Sequence, residues 1–153
     1  MPATLARVEP ESSAYAALPG ADYADAFRTT SPAFFPAEAW ARAAFEQVPP
    51  RSAAAQLAVW RGALQLRLGP RGSPDLVAGW AVVDRAPARL ILGASSWHLE
   101  ARLVFGSTPA TARVTTLVRY RNPAGRAAWA ALADVHRRAV PGILEGARLR
   151  LTS

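Results

Sequence analysis

The chain has 153 residues, no cysteine and two histidines, enough for one domain that buries roughly two thirds of its unfolded surface, but no basis for a disulfide framework, a thiolate metal site or a His-rich one. All 18 basic residues are arginine and the net charge is +7, yet they are scattered from Arg7 to Arg150 with no zinc finger or single-strand stacking platform beside them, which argues against nucleic-acid binding. No run of about 18 apolar residues and no basic-then-apolar leader occurs, so neither membrane insertion nor secretion is expected, and the expected location is cytoplasmic.

Residues 1–20, rich in Pro, Ser and Ala, read as a flexible arm, and residues 21–153 as a single domain. The stretch Ala21–Thr30 reads as a first strand, with Tyr23 and Phe27 on alternating positions. Pro36 suits the first position of a helix, and Glu38 suits the positive end of its dipole. That helix is expected from Pro36 to Val48, with Trp40, Ala41, Ala44, Phe45 and Val48 in one arc, stopped by Pro49-Pro50. A second helix is expected over Ser52–Leu64, with Ala53, Leu57, Trp60 and Leu64 on one stripe. Gln65–Leu68 offers a short edge strand, and Gly69–Pro74 a loop.

Strands are expected next over Val77–Asp84, Arg89–Ala94, Trp97–Phe105 and Arg113–Arg121, and their short connections favour antiparallel pairing. A long helix then opens at Asn122-Pro123 and runs to about Arg148. One apolar sheet face and one apolar helix stripe must cover each other. The expectation is an α+β domain with a curved antiparallel sheet of about five or six strands gripping the C-terminal helix.

The order of elements resembles the helix-grip fold of START-type, polyketide-cyclase-like (SRPBCC) proteins. Several strings resemble the bacterial family called domain of unknown function 2867: ADYADAF at Ala21–Phe27, HLEARL at His98–Leu103, VTTLVRYRNPAGR at Val114–Arg126 and VH at Val135-His136. Glu100 stands where relatives often carry Asp, and Ala133-Asp134-Val135 where they often carry an aromatic-Pro-Phe run. The resemblance implies a hydrophobic ligand held between sheet and last helix, which some such proteins cyclise or dehydrate.

Strand pairing sharpens the candidate site. In the register that pairs Phe105 with Val114, Glu100 lies opposite Arg119, since a slip of one residue would reverse every side chain. Trp97, Leu99, Ala101, Leu103 and Phe105 then share the inner face with Val114, Thr116, Val118 and Tyr120. His98, Glu100 and Arg102 fall on the other face. They read either as a wet outer surface, with an ion pair worth about 0.2–1 kcal/mol, or as a His98/Glu100 acid/base pair in a second, shallow site. At 100° per helical residue, His136 lies mid-stripe with Trp129, Leu132, Ala139, Val140 and Ile143, facing the sheet. It reads as a core histidine satisfied by Thr116 and Tyr120, or as a polar fixture of a cavity whose other walls include Tyr23, Trp80, Trp97, Trp129 and Val140. Pro141, inside the helix, is expected to bend it and hold one end of the cavity open.

Three readings follow. The first is binding of a hydrophobic small molecule; the second is a cofactor-independent cyclase, dehydratase or isomerase using His136, or His98 with Glu100, as general acid/base. The third is a structural or partner-binding module with a filled core. No cofactor, metal or nucleic acid is expected, and a homodimer is compatible with each reading.

Overall fold

Alternation of apolar and polar side chains builds seven strands, and the computed structural model, which describes residues 4–153, pairs them all antiparallel in one open sheet. They are β1 (Ala6–Val8), β2 (Tyr23–Thr30), β3 (Leu76–Val77), β4 (Trp80–Ala86), β5 (Arg89–Ser95), β6 (Leu99–Ser107) and β7 (Thr111–Tyr120), in the order β1-β2-β7-β6-β5-β4-β3. The central register is the expected one, with Phe105 opposite Val114 and Glu100 opposite Arg119.

The sheet has more strands than the five or six expected because both edges hold short extra ones. The strand expected over Val77–Asp84 is really two, turned at Ala78 and Gly79, whose φ values of 49° and 91° suit a tight two-residue hairpin. At the other edge, β1 comes from the segment expected to be a loose arm. Ala6, Arg7 and Val8 pair with β2, and a 3-10 turn over Ser12–Ala17 follows. Leu18, buried behind that turn, packs on Ile91, Val104 and Leu117 of the outer sheet face. Burial of those apolar groups is the physical reason that this segment is fixed; residues 1–3 of the expected arm lie outside the described residues.

Three α-helices cover the inner face: α1 (Ala37–Phe45), α2 (Pro50–Leu57) and α3 (Pro123–Thr152). Pro36 precedes α1 rather than starting it, while Pro50 opens α2 at a first-turn position that costs no hydrogen bond. The second expected helix breaks at Leu57 into a wider π turn over Ala58–Ala63. Gln65–Leu68 forms no strand: Gln65 has φ 53°, and the Leu66 N–H turns back to the Trp60 carbonyl at 2.7 Å. α3 runs 30 residues, through Pro141 and past the expected end, and packs against α1, β2 and β7. The main core lies between this helical layer and the inner face, with Trp40, Phe105, Leu99 and Leu144 fully enclosed.

Candidate functional site

The inner face of β6 and β7 and the mid-section of α3 do not close completely on each other. They leave a cavity of about 380 Å³, completed by the end of α1, by α2 and the π turn, and by Trp80 from β4. Its walls are almost wholly apolar. Phe45, Trp60, Trp80 and Phe105 form an edge-to-face aromatic chain on one side, with ring centroids 5.2, 5.6 and 5.9 Å apart. Leu132, Val140, Ile143 and Leu144 of α3 line the other side. The polar exceptions are Ser52, Gln56, Thr116 and His136, and none of the lining residues is an arginine.

A polar corner is built where α3 crosses β2. Asp25 is fully buried, a position a carboxylate holds only with partners. Its Oδ2 accepts a 2.5 Å hydrogen bond from the Tyr23 hydroxyl and lies 3.0 Å from His136 Nε2, close enough for a charge-assisted contact though off the line of an ideal hydrogen bond. Its Oδ1 has no hydrogen-bond partner among the described residues. Burial and the bond to Asp25 push the Tyr23 phenol up to about 12, against the opposing pull of Arg137, so Tyr23 stays a protonated donor. Arg137 Nη1 reaches the same hydroxyl at 3.3 Å. The Trp129 ring stacks beside both, 5.0 Å from Tyr23 and 5.1 Å from His136.

Of the residues expected to line the cavity, Trp80, Thr116, Trp129, Val140 and His136 do so. Tyr23 stands just behind, on Asp25 and against the Trp129 and His136 rings. Trp97 is displaced: it is 55% exposed, and its Nε1 donates to Gln65 Oε1 at 2.7 Å. The reason is local. β6 starts only at Leu99, and Ser96-Trp97-His98 is a tight turn in which Ser96 Oγ accepts from the backbone N–H of both His98 and Leu99. The turn breaks the two-residue period, so His98 is buried and Trp97 exposed. Tyr120 shares the inner row but sits at its end, outside this cavity, beneath the Arg126 guanidinium. It therefore does not satisfy His136.

His98 and Glu100, read as either an outer surface or an acid/base pair, have separate partners. His98 is buried, with Nδ1 bonded to Ser96 Oγ at 2.7 Å. Glu100 is engaged by Arg119 at 2.9 Å, Arg121 at 3.3 Å and Arg102 at 3.9 Å. The Arg119 hydrogen bond holds its carboxyl below the ordinary range, helped by the other two arginines; it is a counter-ion for three guanidinium groups. Among the described residues no three His, Cys, Asp or Glu side chains gather as a metal site.

Sequence reasoning missed Asp25, although the alternation that places Tyr23 and Phe27 inward places Asp25 inward between them. It also missed α2 as a wall, because the residues it contributes, Ser52, Ala55 and Gln56, are not those of its expected apolar stripe. A family model described as "Protein of unknown function (DUF2867)" matches residues 17–143. No curated protein and no solved structure gives a match to the chain.

Proposed function

The chain belongs to that family of unknown function, and we propose from its cavity that it binds a hydrophobic small molecule between the inner face of the sheet and α3. One observation carries the reading: a space of about 380 Å³ with almost entirely apolar walls. Small-molecule sites have this character, roughly 300–1,000 Å³ with a few polar groups that fix orientation. Each square ångström of apolar ligand surface removed from water contributes roughly 25 cal/mol. The same reading takes the chain as a helix-grip protein of the START and polyketide-cyclase-like superfamily, cytoplasmic in location; an antiparallel sheet facing a long C-terminal helix supports that kinship.

The test is to fill the space. Ala101 sits mid-strand on β6 in the cavity wall, opposite Val118. Titration with the uncharged fluorescent probe N-phenyl-1-naphthylamine should show saturable binding to the wild type. Ala101→Phe should weaken it at least about tenfold, since a ring in the cavity displaces the ligand. Equal binding by both proteins would overturn the assignment of the cavity as the site.

A further inference from the structure

The polar corner does more than orient a ligand. Resting on the binding reading, we propose that His136, positioned by Asp25, is the general base and acid for a neutral β,γ-unsaturated ketone in the cavity and moves a proton from its α-carbon to its γ-carbon.

Four observations converge. Asp25 Oδ2 lies 3.0 Å from His136 Nε2, off the line of an ideal hydrogen bond, and a carboxylate on that side favours the tautomer with its proton on Nε2 and its lone pair on Nδ1. Among the described residues Nδ1 has no hydrogen-bond partner, and His136 belongs to the cavity wall. Thr116 lies directly across from Asp25 on β7, also in the wall, and its buried hydroxyl has no partner among the described residues, which leaves it a donor for a ligand oxygen that reaches this corner. Finally, not one of the 18 arginines lines the cavity. Phosphates and carboxylates are thereby disfavoured, and a neutral carbonyl fits the hydroxyl that is there.

In the step, Nδ1 takes a proton from the α-carbon as that C–H bond breaks. The electron pair forms the C=C bond of an enolate, and the carbonyl oxygen gains the negative charge beside Thr116. The imidazolium formed is stabilised by the Asp25 carboxylate. Return of the proton from Nδ1 to the γ-carbon of a β,γ-unsaturated ketone regenerates the carbonyl and shifts the double bond. Atoms and electrons balance with no co-reactant. His136 is the catalytic residue; Asp25 is a positioning residue that acts through it.

2-Tetralone is a suitable probe, apolar and with exchangeable protons at C1. Its binding is read by displacement of N-phenyl-1-naphthylamine, and deuterium uptake at C1 in D₂O by proton NMR. At saturating ketone the wild type should accelerate exchange over buffer, and His136→Asn should cut that acceleration by about 10²–10⁴, the range for a positioned acid or base. The groups facing the imidazole are Asp25 and Tyr23 from β2, with Arg137 of α3 on the Tyr23 hydroxyl. Asp25→Asn removes the carboxylate that faces Nε2 and should lower the exchange acceleration at saturating ketone while tetralone still displaces the fluorescent probe, a split between turnover and binding that a merely structural role would not give. A readout on the unmutated protein covers the case in which that variant does not fold: nitrogen-15 NMR should find neutral His136 protonated at Nε2, with His98→Gln used to assign the two histidines. Protonation at Nδ1 instead, or bound tetralone exchanging no faster than in buffer, would sink the proposal while leaving the binding site standing. If neither tetralone nor the fluorescent probe binds, the cavity reading fails, and this one with it.

Discussion

Glu100 shows how much a single side chain depends on what surrounds it. An isolated exposed ion pair contributes about 0.2–1 kcal/mol, but this carboxylate is only 17% exposed and faces three guanidinium groups. Charge-assisted hydrogen bonds of partly buried groups run to about 1.5–3 kcal/mol, discounted here because Arg119 and Arg121 are 38% and 43% exposed. Glu100→Gln should therefore cost about 1–2 kcal/mol in urea unfolding at neutral pH, between those limits. The folded-state carboxyl is held below its ordinary value of 4.5, so its contribution is complete above that value and is lost as pH falls through the folded value. The gap between wild type and variant should shrink on acidification below about pH 4.5. A gap that stays constant down to pH 2 would show that the charge is not what stabilises.

At the scale of elements, the docking of α3 rests on a glycine. Gly125 lies in its first turn, where the Asn122 side chain accepts from its backbone N–H and the Asn122 amide donates to the Trp97 carbonyl at 3.2 Å. A Cβ at Gly125 would stand 1.8 Å from the His98 carbonyl oxygen, an atom fixed by the sheet through the Arg121 N–H. In an unencumbered helix, Gly→Ala gains about 0.5–1 kcal/mol from chain entropy. Here the sign should reverse, with Gly125→Ala losing at least about 2 kcal/mol as an overpacked site does. Gly142 in the same helix has nothing within 4 Å of its would-be Cβ, and Gly142→Ala should be neutral or stabilising. Chemical denaturation of the two variants in parallel checks both signs. Two similar values would mean that α3 is not seated on the turn at Ser96–His98.

For the whole molecule, the sheet is covered on both faces by different parts of the chain. The inner face takes the helices and the cavity; the outer face is partly covered by the N-terminal segment through Leu18, which is 2% exposed and packs on Ile91, Val104 and Leu117. Leu18→Ala should cost about 2–4 kcal/mol, as buried leucine truncations do, read as a fall in thermal midpoint. Ligand binding on the opposite face should be unaffected once the variant is folded. A stability change within about 0.5 kcal/mol, typical of surface sites, would return that segment to the status of a loose arm.

The sequence by itself determined the α+β class, the antiparallel order of the central strands, their register and the direction of His136. Each follows from a short-range period: two residues for the β6 and β7 rows, about 3.6 for the α3 stripe. The same period points Asp25 inward, between Tyr23 and Phe27. What only the tertiary structure decided concerns breaks in period and contacts between distant elements. The turn centred on Ser96 Oγ left Trp97 exposed and His98 buried, the reverse of the expected burial. The pairing of Asp25 with His136 joins residues more than a hundred positions apart, and the cavity exists because α1, α2, the sheet and α3 meet without filling the space between them. Pattern along a chain fixes which way a side chain points; whether another group stands there, or a void, depends on how separate elements pack.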